Sequence, residues 1–185
     1  MLLLHGCCAP CSAGVVDIFT QRGVVPALLW YNPNIHPFTE YFNRKKALEG
    51  FCTHKNLRLG IIENYGLKEF ISAIYPNFDN RCEYCYGHRL ESAAQYAKTH
   101  GFSGFTTSLL ASPYQNHELI KKLGYATEKE HGIPFYYEDF RENFRNGQNE
   151  ARGMGLYMQK YCGCIFSEEE RYSQPIAFPA ASKLR

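Results

Sequence analysis

Short apolar runs alternate with amphipathic stretches along the whole chain. Leu2-Leu3-Leu4-His5 has strand length, and it is followed by a helical pattern over 12–22 with Gly23 just past its end. Ala27 to Tyr31 reads as a second strand, closed by Asn32-Pro33-Asn34-Ile35-His36-Pro37, a stretch dominated by turn formers. Phe38, Tyr41, Phe42, Leu48 and Cys52 then share one helical face, with Arg44, Lys46 and Glu49 largely off it. A third strand is predicted over 58–62, then a short helix over 67–74 that ends before Pro76. Tyr86, Leu90, Ala93, Ala94 and Ala97 define the clearest amphipathic helix, stopped by Gly101. A fourth strand is expected over 105–109, a helix over 115–123 and a fifth strand over 135–137. From 142 to 155 the periodicity is poor and glycine frequent, and no element is assigned.

Strands and helices alternating at this spacing imply right-handed βαβ crossovers and a mostly parallel sheet, hence a three-layer α/β sandwich. No repeat or linker divides the chain, so residues 1–185 are expected to form a single domain. Ligands of such sheets sit beyond the carboxyl ends of the strands. That rule puts the loop Gly6-Cys7-Cys8-Ala9-Pro10-Cys11-Ser12 at the functional edge.

Composition narrows the classes. With 45% hydrophobic and 21% charged residues the 185-residue chain is too apolar to be disordered, and it is long enough to build a core without disulfide staples. Twenty basic against eighteen acidic residues leave a net charge of +2, too balanced to signal nucleic-acid binding by itself. No apolar run approaches a membrane span, no basic leader precedes the first strand, and Ser182-Lys183-Leu184 is followed by Arg185, so a cytoplasmic location is expected. In a reducing compartment, clustered cysteines point to metal or redox chemistry.

Seven of the eight cysteines fall in three groups: Cys7, Cys8 and Cys11; Cys82 and Cys85; Cys162 and Cys164. Cys52 stands alone on an apolar stripe, as a small core residue does. Cys8, Cys11, Cys82 and Cys85 are predicted at helix starts, where unpaired N–H groups favour thiolates and anionic clusters. Four thiolates complete a 4Fe-4S cluster, and the three left over are the ligand count of a catalytic metal with an open position. Zinc on the two later pairs, or disulfide exchange at Cys8-Ala9-Pro10-Cys11, also remain open on this arithmetic.

Five segments in order carry a family resemblance. They are Leu4-His5-Gly6-Cys7-Cys8-Ala9-Pro10-Cys11-Ser12; Tyr31-Asn32-Pro33-Asn34-Ile35-His36-Pro37 with Glu40, Tyr41 and Arg44; Arg81-Cys82-Glu83-Tyr84-Cys85-Tyr86 with Arg89-Leu90; Phe105-Thr106-Thr107-Ser108-Leu109-Leu110-Ala111-Ser112-Pro113; and Tyr161-Cys162-Gly163-Cys164-Ile165-Phe166-Ser167. From Leu3 to about Arg171 the chain resembles the cobalamin-independent epoxyqueuosine reductases, the QueH family. The resemblance implies a Rossmann-like sandwich similar to the adenine nucleotide α-hydrolase fold. The cysteine loop stands where the nucleotide-binding relatives of that fold carry a phosphate loop, so no ATP binding is expected.

The implied activity is reduction of epoxyqueuosine at the wobble position of tRNA to queuosine, with electrons from an unidentified donor. The resemblance implies Cys7, Cys8, Cys82 and Cys85 as ligands of a 4Fe-4S cluster, and Cys162 and Cys164 as ligands of a second, single iron. Cys11 stands where some relatives carry aspartate, and it supplies that iron's third ligand in this scheme. Cys11, Cys162 and Cys164 are therefore the expected catalytic set, with the open-sided iron polarising the epoxide oxygen.

Substrate contacts are expected from polar groups after the second and fourth strands: Asn34, His36, Glu40, Tyr41, Arg44, Thr106, Thr107 and Ser108. Turn formation, and hydroxyls capping the next helix, are the competing roles. His5 is expected to be packed and hydrogen-bonded, and His36 and His117 are possible proton donors. For the tRNA partner, Arg44-Lys45-Lys46 and Lys121-Lys122 are the notable basic runs, and the fourteen tyrosines offer stacking platforms. Met158 stands where the family pattern leads one to expect arginine, and the stretch between Tyr65 and Arg81 is short.

Overall fold

A computed structural model describes residues 1–173; the Ser182-Lys183-Leu184 tripeptide lies outside them. The four strands are β1 (Leu2–His5), β2 (Ala27–Trp30), β3 (Leu59–Ile61) and β4 (Gly104–Thr107). They pair in the order β3-β2-β1-β4, and every pairing is parallel. β1, β2 and β4 are buried along their whole length, as strands covered on both faces must be, although β1 ends in His5 and β4 carries Thr106 and Thr107.

The helices are α1 (Ala9–Gln21), α2 (Phe38–His54), α3 (Leu67–Ile74), α4 (Arg81–Thr99), α5 (His117–His131), α6 (Phe144–Gly153) and α7 (Ile165–Tyr172). They cover the sheet on both faces: α1 packs with α2 and α6, and α4 packs with α3, α5, β1 and β4. The expected three-layer, Rossmann-like sandwich is therefore present.

Chain order explains where the site lies. The path runs outward from β1 through β2 to β3, then returns to lay β4 on the other side of β1. Connections leave in opposite directions at the β1/β4 boundary, and a crevice opens there beyond the strand ends. The Cys7 N–H donates to Ser108 Oγ (2.9 Å), joining the loops that follow β1 and β4.

Three expectations need correction. The fifth strand is a single parallel bridge between Phe105 and Phe135; the Tyr136 carbonyl is taken by Thr106 Oγ1 (2.7 Å) and the ladder goes no further. The 142–155 stretch, assigned no element from its pattern, holds α6. One of its two glycines is used for close approach: a Cβ at Gly147 would lie 2.5 Å from Gly14 N and Pro10 O of α1. On α2, Phe38 and Phe42 are exposed, whereas Arg44, expected off the apolar face, is buried beside Glu40. A fully satisfied ion pair substitutes for two apolar positions on that inward face.

Candidate metal centre

The cysteine loop is short because β1 ends at His5 and α1 begins at Ala9, with Cys8 as its N-cap and Pro10 in the first turn. Cys7, Cys8 and Cys11 are thereby forced together: their sulfurs all lie within 4.8 Å of one another, and all three residues are buried. The Cys7 and Cys8 sulfurs are 3.7 Å apart. Hydrogen bonding from Cys11 and Cys8, with a further bond from Ser108 Oγ (3.2 Å), holds the Cys7 thiol well below its ordinary range. Cys11 is driven the opposite way by its bonds to Cys7 and Cys8, and burial raises Cys8. Of the three crowded thiols only Cys7 is eased toward the thiolate, and a bound cation would favour ionisation of the other two.

Cys82 and Cys85 lie at the start of α4, as expected, Cys82 in its first turn and Cys85 at the beginning of its second. Cys82 is exposed and Cys85 is buried, with its thiol pushed up to about 12 by burial. Arg89, one turn further along, is also buried; its Nε donates to the Cys85 carbonyl (3.0 Å) and its Nη2 to Cys85 Sγ (2.8 Å). Arg89 Nη1 reaches Asn32 Oδ1 (3.4 Å), and Asn32 Nδ2 donates to the Gly6 carbonyl (2.9 Å), so one chain of bonds links α4 to the cysteine loop.

Arg44 performs the equivalent task for the third pair. Its Nε meets Glu40 Oε1 at 2.6 Å, while Nη1 and Nη2 donate to the carbonyls of Cys162 (2.7 Å) and Tyr161 (2.9 Å). Tyr157 closes the back of the pair with a hydrogen bond to Glu40. Cys164 is the buried N-cap of α7, and Cys162 is exposed at a cleft of about 620 Å³.

Cys7, Cys8, Cys11 and Cys162 line that cleft, together with Arg44, Gln115, Gln159 and Tyr161. Gln159 Nε2 donates to Cys8 Sγ (2.9 Å). Gln115 Nε2 donates to Cys162 Sγ (3.3 Å), its amide held in that sense by the Tyr86 hydroxyl, which donates to Gln115 Oε1 (2.7 Å). Neither glutamine was visible as functional in the sequence, because a lone polar residue before a helix or in a loop carries no period. Arg89 was legible in principle, since it lies four residues after Cys85 on the apolar face of α4.

Of the residues expected to touch substrate, Arg44 lines the cleft; the other seven lie outside its lining. Thr107 Oγ1 bonds His5 Nδ1 (2.9 Å) and caps the turn at Leu109 N (3.2 Å), Ser108 holds Cys7, and Tyr41 bonds Trp30 and Glu63. Asn34 is buried with its Oδ1 unpartnered, against a second, small cavity of about 20 Å³ that Cys85 and Arg89 also line. His36 is buried and held by burial at about 4, so its ring is neutral. His5 is likewise fully buried and lowered to about 4, with Nε2 on the Tyr31 carbonyl at 3.0 Å. His117 packs against the Ser112 carbonyl, and Cys52 is buried in the core as expected.

The first basic run is not a continuous surface: Arg44 is buried and Lys45 pairs with Glu49 and Glu63, leaving Lys46 exposed. Lys121 of the second run lies over the Tyr137 ring (4.9 Å), and Lys122 is exposed.

All eight cysteines are free. The donor set fits a sulfur-ligated metal group, and the buried charges support that fit. Arg89 has no carboxylate partner among the described residues. Burial opposes its charge, yet the sulfurs of Cys85, Cys7 and Cys162 more than offset this. A negatively charged thiolate–metal assembly would supply the counterion this guanidinium lacks.

The model of the family described as epoxyqueuosine reductase QueH matches residues 2–170. The chain belongs to the QueH family. It is similar to the epoxyqueuosine reductase QueH of Dehalococcoides mccartyi, 37% identical over 94% of this chain and 96% of that protein. The QueH of Thermotoga maritima is 35% identical, over 92% and 91% of the two chains. These QueH relatives are oxidoreductases by name, and their length matches that of the present chain. Among solved structures, a predicted subunit of a tRNA methyltransferase from Methanocaldococcus jannaschii shares the fold with a TM-score of 0.50 at 13% identity, covering 81% of this chain and 77% of that one. No helix among the described residues is long and apolar enough to cross a membrane.

Proposed function

We propose that this member of the QueH family reduces the epoxide of epoxyqueuosine at the wobble position of tRNA to the alkene of queuosine. One observation carries the reading: thiols from the β1 loop and from the loop before α7 line one open cleft, with Cys85 held behind it by a buried arginine. Removing the epoxide oxygen consumes two electrons and two protons and releases water, so a donor outside the chain must supply the electrons.

Cys7, Cys8, Cys82 and Cys85 would hold a 4Fe-4S cluster, and Cys11, Cys162 and Cys164 a single iron. The tightest thiol group joins Cys11 to Cys7 and Cys8, across that division. When bound, such a group supplies single electrons and a Lewis acid for the departing oxygen. The chain's own residues hold the floor in place. Arg44 fixes the Tyr161–Cys162 backbone, and Gln115 and Gln159 present amide N–H donors suited to a substrate oxygen. Lys160 and Arg171 line the same cleft, where a phosphate of the RNA can meet them.

Anaerobic purification with iron and sulfide quantification tests the metal assignment: about five irons and four sulfides per chain are expected. One zinc without sulfide would replace the reading with a zinc-stabilised binding module. Cys162→Ala or Cys164→Ala should abolish turnover while leaving most of the cluster's visible absorbance, and full activity in both would remove the second metal from the chemistry.

A further inference from the structure

The segment between the Ser108–Ala111 turn and α5 carries Tyr114, which is 84% exposed. A single exposed aromatic residue is ordinary on a protein surface. Three features set this one apart. It lines the thiol-floored cleft. It is held in a tight turn, with its own N–H on Ser112 Oγ (3.3 Å) and the Gln115 N–H on the Ser112 carbonyl (3.4 Å). And its immediate neighbour is Gln115, whose amide reaches Cys162 Sγ. Successive Cα atoms are only about 3.8 Å apart, so the ring stands one residue from a group on the cleft floor.

The surroundings indicate what such a ring meets. Phe144 packs against it edge-on, with centroids 6.3 Å apart and planes at 80°, which fixes the ring without covering it. Gln148, Lys160 and Arg171 line the same cleft, as does Glu170, whose carboxylate is paired with Arg81. An open aromatic face beside cations and amides matches a single-stranded nucleotide, whose base stacks while its phosphates pair with the charges. Base-paired RNA hides its faces within the stack and offers the ring nothing.

We propose that Tyr114 is a stacking platform for the nucleotide adjoining the one that enters the cleft, so that the site takes unpaired loop RNA in preference to duplex. The proposal rests on the reading of the cleft as a tRNA-modification site and adds the contact that holds the loop. Tyr114 acts on binding and is not a catalytic residue.

The test uses the full-length protein and an RNA hairpin with 2-aminopurine in its loop, beside the same sequence fully paired. Wild type and Tyr114→Trp should quench the loop fluorescence on binding. Tyr114→Ala should bind the hairpin about tenfold more weakly without quenching, because one base stack is worth roughly that factor. The duplex should bind weakly to all three proteins. With an epoxide-bearing RNA, the loss in Tyr114→Ala should fall on KM rather than kcat. Equal hairpin affinity and equal quenching in wild type and Tyr114→Ala would overturn the proposal, whether or not the epoxide is reduced. Tyr114-dependent quenching by a protein that reduces no epoxide would uphold the platform and refute the reductase reading instead.

Discussion

Arg89 Nη2 lies 2.8 Å from Cys85 Sγ, one helical turn away, and no carboxylate among the described residues pairs with that guanidinium. A buried charge without a counterion is expensive, so the pair is complete only when the sulfurs carry negative charge. If the thiols hold the proposed 4Fe-4S cluster, replacing Arg89 with Gln should leave that cluster harder to reduce. For a redox group whose ligand sulfur the guanidinium contacts, a unit charge at an effective dielectric of ~20 is worth on the order of 2 kcal/mol. That corresponds to a downward shift on the order of 90 mV for one electron. Arg89→Lys, which keeps the charge but not the fork, should shift the midpoint less. A spectroelectrochemical titration of the three proteins checks this; an unshifted midpoint in Arg89→Gln would remove Arg89 from the electrostatics of the site.

Arg44 and Glu40 form the other buried pair, and Arg44 also carries the Tyr161 and Cys162 carbonyls. Arg44→Ala leaves the Glu40 carboxylate buried without its partner and releases the segment bearing Cys162. The expected destabilisation is about 3–5 kcal/mol, a fall in Tm on the order of 10 °C for a chain of this size. The double variant Glu40→Leu with Arg44→Met removes both charges and should recover part of that loss. If it is no more stable than Arg44→Ala, uncompensated charge is not what the single variant suffers from.

Much of this site was legible in the residues because the cysteine spacings fall on helix starts. Cys8 and Cys11 bracket the first turn of α1, and Cys82 and Cys85 fall within the first five residues of α4, at helix starts as the pattern predicted. The core face of α4 was equally readable, since Tyr86, Leu90, Ala93, Ala94 and Ala97 are all buried. What escaped were features whose signal is tertiary. A buried arginine such as Arg44 looks like a solvated charge until Glu40 and two carbonyls are seen to surround it. A glycine-rich helix such as α6 looks like a loop until α1 is found against it. Thr107 and Ser108 read as ligand contacts by position at a strand end, but their hydroxyls are used within the fold, on His5, Leu109 N and Cys7.

His36 gives the fold a defined acid response. Its Nε2 meets the Pro33 carbonyl at 3.2 Å, its Nδ1 has no partner, and the rings of Tyr65 and Phe70 pack against it. Burial lowers it from 6.5 to about 4. Between these values the unfolded chain binds the proton and the folded one does not, so stability falls as pH falls through that window. The contribution is fully present above pH 6.5 and is lost by about pH 4, for roughly 3 kcal/mol in all. Urea unfolding at pH 7 and pH 4.5 should show a smaller difference for His36→Gln than for wild type. Parallel pH profiles would mean that His36 is not the group responsible.

Gly147 and Gly87 are both helical, and they separate packing from propensity. Alanine is favoured over glycine in a helix by about 0.5–1 kcal/mol when nothing obstructs its methyl group. At Gly87 in α4 no atom lies within 4 Å of the added Cβ, so Gly87→Ala should stabilise by about that amount. At Gly147 the methyl would meet backbone, 2.5 Å from both Gly14 N and Pro10 O, and neither can rotate away. Helix α6 would have to lift from α1, at a cost of about 1–3 kcal/mol that outweighs the propensity gain. The displacement reaches the cleft, since Phe144 and Gln148 of α6 line it and α1 carries Cys11. Thermal melts should therefore move in opposite directions for the two variants, by about 2–4 °C per kcal/mol. If Gly147→Ala melts higher than wild type, the α1–α6 approach is looser than these distances require, and glycine there serves something other than close packing.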